Sequence, residues 1–262
     1  MNNVILKSLI SISLFFTILF SEEPLSIGFW NAENLFDLIN DPNKNDDEFA
    51  LGGRKNIDQK TYDLKIKNCS EVVSDLDVDI LGLCEVENIK VLNDLNIASP
   101  KRNYDIIHYD SPDNRGIDNA LMYDNNRFQV ISSKAIQNTL DGGGKTRDIL
   151  YVYGEYQNIM LHIYINHWPS NYGGREKAIP KRTSTAKLII KEVEKIKQND
   201  KFAEIILLGD FNENPDEVNI QILEDAGFNS LMKPLLGKPK VGTYVYRKKD
   251  LFYDQIIIND QL

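Results

Sequence analysis

Five apolar runs in the sequence end on a polar or ionisable side chain: "IGFW" on Asn31, "ILGLC" on Glu85, "HIYI" on Asn166 and His167, "IILLG" on Asp210 with Asn212 just beyond, and "LFY" on Asp254. Short apolar runs of this kind read as buried strands, and strand ends are where a rigid scaffold presents functional groups. Taken singly, a terminal Asn or Asp also fits a turn or a helix cap. Glu85 fits that bland reading less well, because a carboxylate at the edge of a core must find partners. The repetition constrains the fold to a sheet scaffold whose strand ends carry the chemistry.

The rest of the chain agrees with such a scaffold. Further strands are expected at "YDIIHY", "DNALMYD", "RFQVIS" and "RDILYVYGEY", and again at "NIMLHIYINH", "EIILLGD" and "DLFYDQIIIND". Within the longest of these, Ile159, Leu161, Ile163 and Ile165 share one face. Tyr62, Ile66, Cys69, Val73 and Leu76 recur at helical spacing, so a helix is expected to pack them on the strand of residues 79–85. A second helix is expected over 181–197, with Ala186, Ile189, Ile190, Val193 and Ile196 inward. Residues 41–56, "DPNKNDDEFALGGRKN", are polar and without period and read as a long loop. Many short strands, few helices and no repeat predict an α/β (α+β) fold of mixed sheets with helices outside. No Gly-rich strand-to-helix loop appears, which disfavours a parallel nucleotide-binding sheet.

Composition supplies the remaining bounds. With 262 residues, a hydrophobic share of 42 % and a charged share of 26 %, the chain suits one large domain and is not globally disordered. Residues 1–21 carry one charge, Lys7, before the run "SLISISLFFTILFS". That run is shorter than a membrane span and suits a signal-peptide core. A secretory signal over 1–21 is expected, or an uncleaved anchor, since Leu19 and Ser21 make a poor cleavage pattern. The domain of residues 22–262 is then secreted or periplasmic, with no further membrane span and no stable protein partner expected.

Without residues 1–21 the formal charge moves from −9 to −10, which repels polyanions at long range. A nucleic-acid substrate would need local bases or a divalent metal at the site. Cys69 and Cys84 form no Cys-x-x-Cys motif, which argues against a thiolate metal site. Export permits a disulfide between them; their apolar surroundings favour two buried thiols.

Hard oxygen donors such as Glu85 and Asn31 select Mg²⁺ or Mn²⁺, with Ca²⁺ also compatible, and such a site uses one or two protein carboxylates completed by substrate phosphate. Only His108, His162 and His167 are present, too few for a His-rich zinc hydrolase. Asp210 and Asn212, two residues apart, suit positioning a water and donating to a phosphate oxygen. His108 and His162 read as structural. "GGREKAIPKR", with Lys177, Lys181 and Arg182, reads as a solvated helix start or, less readily, a phosphate contact.

The blocks "IGFWNAENLFD", "ILGLCEVEN", "HYDSPDNRGIDNALMYD", "NHWPSNYGG", "LLGDFNENPD" and "YDQIIIND", in this order, resemble those of the endonuclease/exonuclease/phosphatase superfamily, over about residues 25–260. They look most like its bacterial, secreted, deoxyribonuclease-like members. The resemblance implies a four-layer α/β/β/α sandwich of two packed mixed sheets, and a Mg²⁺-dependent phosphodiesterase acting on nucleic acid, DNA before RNA. It implies that Glu85 ligates the metal, that Asn31 contacts metal and phosphate, and that His167 acts at the scissile phosphate. Asp210 and Asn212 match the pair that orients the attacking water and binds a phosphate oxygen, and Asp254 matches the partner of a catalytic histidine. Arg115, Asn119 and Asn166 are the further substrate contacts expected; for Arg115 a surface salt bridge is an equal alternative.

One block of the superfamily, a Ser-Asp-His on a final strand, has no counterpart before Leu262. The expectation is a C-terminally incomplete version of an active enzyme that lacks its last strand. A phospholipid or phosphoinositide esterase, and an inactive binding remnant, are the competing readings.

Overall fold

A computed structural model describes residues 23–262. The expected signal segment, 1–21, lies outside them. Along the chain come β1 (Ile27–Leu35), α1 (Gln59–Leu76), β2 (Ile80–Val86), α2 (Ile89–Ala98), β3 (Asp105–His108), β4 (Asp118–Tyr123) and β5 (Gln129–Ile136). There follow β6 (Ile149–Tyr156), β7 (Ile159–His167), α3 (Arg175–Lys197), β8 (Glu204–Asp210), α4 (Val218–Asp225) and β9 (Phe228–Ser230). A hairpin of β10 (Tyr244–Tyr246) and β11 (Lys249–Leu251) precedes β12 (Asp254–Asn259).

The strands form two mixed sheets, ordered β1-β2-β4-β3 and β5-β6-β7-β8-β12-β9. Alternation along the strands decides which residue enters which layer. In β8, Ile206 and Leu208 join Ile163 and Ile165 of β7 and Ile80 of β2 in the core between the sheets, while Ile205 and Leu207 face α3 and α4 on the opposite side. In β2, Leu81 and Leu83 face outward onto Tyr62, Ile66, Cys69 and Val73 of α1 and Val91, Leu92 and Leu95 of α2. The result is four layers, helices outside two packed mixed sheets, as expected. Because β7 and β8 are buried on both faces, their sequences read as near-continuous apolar runs.

Capping defines the helix starts. Asp58 accepts the Thr61 N–H at 2.8 Å to open α1, and Asn88 accepts from Lys90 and Val91 to open α2. Several expectations are corrected. Leu76 closes α1 on its exposed side instead of joining the buried face. The second helix begins at Arg175, not 181, with Pro180 inside it. The run 250–260 is not one strand: Phe252 and Tyr253 separate β11 from β12. The helix α2 was not expected, because its apolar positions follow the β2 strand almost without a break. Both cysteines are buried free thiols.

Candidate active site

Register brings the strand-end residues together. Asp210 stands directly beside His167 across the parallel β7–β8 pair and directly opposite Asp254 across the antiparallel β8–β12 pair, so three ionisable groups lie in one row on three neighbouring strands. Asn31 and Glu85 reach the row from the other sheet. All five, with Asn212, line one open cavity of about 740 Å³. Gly209 permits the close packing behind it: a Cβ there would meet the Asn166 carbonyl oxygen at 2.5 Å.

Two bulges aim the residues of the first sheet. The β1–β2 register shifts between Asn31 and Leu35, where Glu33 and Asn34 have φ of 50° and 61°. The β2–β4 register shifts between Cys84 and Val86, leaving Glu85 with φ 58°. Bulges redirect side chains at the end of a strand, and a non-glycine residue held at positive φ costs about 1 kcal/mol or more. Here the bulged residues meet, since the Asn34 N–H donates to Glu85 Oε2 at 3.0 Å. Asn212 also has positive φ, 51°, in the tight turn after β8.

Asp210 is held by both oxygens. The Asn212 N–H donates to Oδ1 at 2.9 Å and Asn31 Nδ2 to Oδ2 at 3.1 Å. Asn212 uses one amide hydrogen on the Trp168 carbonyl at 3.0 Å, which leaves the other. His167 Nε2 lies 3.7 Å from Glu85 Oε1 and 3.9 Å from Asp210 Oδ2, while its Nδ1 is buried without a partner. The tautomer with its proton on Nε2 therefore points a donor at the two carboxylates. Burial, with the cations of Arg147 and Arg115 adding, holds the His167 pKa well below the usual histidine range and keeps the ring neutral.

Charge is the most informative property of this cavity. Its lining includes the carboxylates of Glu33, Glu85, Asp210 and Asp254 and no Lys or Arg. Burial, with Glu85 nearby, raises the Asp210 pKa against the opposing pull of its hydrogen-bond donors and of Arg147. Burial raises Asp254 more strongly, with Asp210, Glu85 and Glu33 adding to it. Such a set of oxygen donors, mutually repelling and without a protein cation at the surface, fits a hard divalent ion. Glu85, Asp210 and Asp254, with the Asn31 amide beside them, are the residues able to hold one.

Other expected residues lie elsewhere. Asn166 is fully buried and clamps β7 to β8, donating to the Tyr164 and Leu208 carbonyls and accepting from Trp168 Nε1. It therefore has no face on the cavity. Asn119 donates to the Asp148 carbonyl and its Oδ1 is buried without a partner, also off the cavity. Arg115 is half-exposed with Nε 3.7 Å from Asp113 Oδ1, the salt-bridge alternative, although its charge is felt at His167. Arg182 is neither a solvated residue nor a phosphate contact, because it is fully buried against Glu213 at 2.8 Å.

The other histidines are structural. His162 Nδ1 is 2.7 Å from the Tyr151 hydroxyl, and its ring lies 4.6 Å from that of Tyr153 and 6.0 Å from that of Tyr151. His108 Nε2 is 3.1 Å from Asp118, and with Asp110 the pair makes a separate group compact enough for a cation, outside the main cavity. Sequence reasoning missed Asn171, Tyr172, Thr243, Tyr244, Tyr246 and Tyr253, which also line the cavity. The alternation of Tyr244 and Tyr246 in "TYVYRKKD" was the available signal.

The profile of the Endonuclease/Exonuclease/phosphatase family matches residues 26–262. No curated protein sequence matches the chain. Among solved structures, the human nocturnin catalytic domain with bound sulfate superposes with TM-score 0.56 at 21 % identity, covering 75 % of each chain. The Bacteroides thetaiotaomicron mannosyl-6-phosphatase Bt3783 gives TM-score 0.60 at 17 % identity, covering 90 % of this chain and 86 % of that one. TDP2 of D. rerio, complexed with a single strand DNA product, gives TM-score 0.60 at 15 % identity, covering 90 % and 83 %. At these identities the likeness is one of fold.

Proposed function

The chain belongs to the endonuclease/exonuclease/phosphatase family and has its phosphoesterase fold, and from that premise we propose that it is a divalent-metal-dependent phosphodiesterase, a nuclease, using the row of His167, Asp210 and Asp254. One observation carries the reading: the cavity that encloses the row of His167, Asp210 and Asp254 is lined by four carboxyl groups and no Lys or Arg. A phosphate brought into so acidic a cavity needs a cation between it and the carboxylates. When bound, Mg²⁺ or Mn²⁺ supplies that neutralisation and polarises the phosphoryl group. Glu85, with Asn31, would hold it.

The remaining steps fall to the chain. Asp210, with its oxygens fixed by Asn31 and the Asn212 N–H, orients a water for attack at phosphorus and accepts its proton. The free Asn212 amide hydrogen and the neutral His167 Nε2–H donate to the phosphate oxygens, where negative charge develops. Asp254, directly opposite Asp210 in the neighbouring strand, is placed to carry a proton for the leaving oxygen.

The DNA-product complex of D. rerio TDP2 and the family match support a nucleic-acid substrate. A side-by-side assay tests the choice, using plasmid, single-stranded DNA, RNA, a sphingomyelin or phosphoinositide headgroup, and mannose 6-phosphate. Cleavage of nucleic acid alone is expected; turnover confined to a lipid or sugar phosphate would refute it. The apolar run after Lys7 supports export, and recovery of the protein from the periplasm or medium is the expected result of fractionation.

A further inference from the structure

The rim of the cavity contrasts in chemistry with its floor. Residues 238–250 carry Lys238, Lys240, Arg247, Lys248 and Lys249 against a single acid, Asp250, in a chain of net charge −9. This is the β10–β11 hairpin with its lead-in, all five bases are exposed, and none of them forms an ion pair among the described residues. At the hairpin tip Arg247 and Lys248 have φ of 47° and 65°, a two-residue turn that normally selects Asn and Gly. Two long basic side chains thus occupy positions where turn chemistry alone disfavours them.

Aromatic rings line the inner face of the same hairpin. Tyr246 and Tyr244 are near-parallel at 6.4 Å, and Tyr244 is near-parallel to Tyr253 at 5.6 Å. Both hairpin tyrosines are substantially exposed, at 49 % and 41 %, and all three face the cavity. The ladder runs into the catalytic row: Tyr253 precedes Asp254, and its carbonyl accepts the N–H of Phe211, the residue after Asp210, at 2.8 Å.

We propose that Tyr246, Tyr244 and Tyr253 form a stacking platform for the unpaired bases of a single-stranded nucleic acid, with Lys248 and Arg247, whose guanidinium sits 5.2 Å over the Tyr246 ring at the outer end of the ladder, holding its phosphates. The proposal rests on the phosphodiesterase reading above and names its substrate class. Stacking on tyrosine accepts any base, because every base has a π-face, but requires that face to be open. A duplex covers it. The juxtaposition of a basic tip with the aromatic ladder, on an otherwise acidic protein, matches a strand whose bases and phosphates must be met side by side.

The test is fluorescence-anisotropy binding by the full chain carrying Asp210→Asn, in Mg²⁺, to three probes: a labelled oligothymidylate, an abasic strand of equal length and charge, and a duplex. The oligothymidylate should bind most tightly. Tyr244→Ala or Tyr246→Ala should weaken it by about 5- to 150-fold, the range of base–aromatic stacking, and bring it toward the abasic strand; Tyr246→Phe should retain it. Arg247→Ala should weaken both single strands and lower the salt dependence of log affinity by about 0.7. Equal affinity for base-bearing and abasic strands, or tyrosine variants without effect, would overturn the platform. Oligonucleotide cleavage by the parent chain that ignores the tyrosines overturns this inference alone. Hydrolysis of a small phosphodiester with no binding of any oligonucleotide overturns both it and the nuclease reading.

Discussion

Replacing Arg182 by Met is expected to be among the most damaging single changes outside the cavity. The Arg182 and Glu213 side chains have no exposed surface, and Nε meets Oε1 at 2.8 Å. Arg182 Nη1 also donates to the Pro169 carbonyl at 2.9 Å and to Asn171 Oδ1 at 3.1 Å, while Glu213 accepts from the Asn219 N–H and side chain at the start of α4. One ion pair thus joins α3, the loop after β7 and the loop after β8.

Removing the arginine strands a buried carboxylate, which costs about 3–5 kcal/mol. For a fold of this size each kcal/mol lowers the melting temperature by roughly 2–4 °C, so a fall of about 6–20 °C is expected. Arg182→Lys should recover little of it, because an ammonium cannot reproduce the forked contacts. In the double variant with Glu213→Leu the orphaned charge is gone, and the loss should be smaller than the sum of the two single losses by about 2 kcal/mol or more. Thermal unfolding by circular dichroism, in the presence of a chelator, measures all five proteins: the parent, the three single variants and the double. A single Arg182→Met variant that melts within about 2 °C of the parent would refute the reasoning.

Asp254→Asn should raise the melting temperature in chelator, because it removes a partly buried carboxyl group repelled by Asp210, Glu85 and Glu33, and should impair phosphodiester cleavage. Calorimetry and a cleavage assay check the two halves; an unchanged or lower melting temperature contradicts the first. Glu87 is pushed up to about 8 from an unfolded value near 4.5, burial being the main cause and Asp37 and Asp46 adding to it. Its protonated form favours the folded state, so its contribution is fully present below about pH 4.5 and is lost as the pH rises through about 8. The stability difference between the parent and Glu87→Gln should therefore shift in the variant's favour from pH 5 to pH 8 in urea titrations.

The parts of the fold governed by local pattern were legible in the sequence. Near-continuous apolar runs marked β2, β7 and β8, because both faces of those strands are buried, and a 3.6 period marked α1, whose single buried face dictates the repeat. Strand-end Asn31, Glu85, His167, Asp210 and Asp254 were legible as candidates, and the structure brings them to one cavity. What escaped depended on partners distant in sequence. Arg182 read as solvated because only Glu213, 31 residues away, makes its burial tolerable. Asn166 carries the same kind of side chain as Asn212, yet the carbonyls of Tyr164 on its own strand and Leu208 on β8 use up its amide. The short hairpin of Tyr244–Tyr246 with Lys249–Leu251 gave too brief an alternation to be separated from β12.

In the proposed reaction the acidic cavity works through a divalent cation gathered at Glu85, with Asp210 as the base. Phosphodiester cleavage measured across a Mg²⁺ titration, for the parent, Glu85→Gln and Asp210→Asn, tests this most directly. Expected are no cleavage by the parent in chelator, a raised Mg²⁺ requirement in Glu85→Gln, and a rate lower by about 10²- to 10⁴-fold in Asp210→Asn at saturating metal. Chelator-resistant cleavage, or parental rates in both variants, would contradict it.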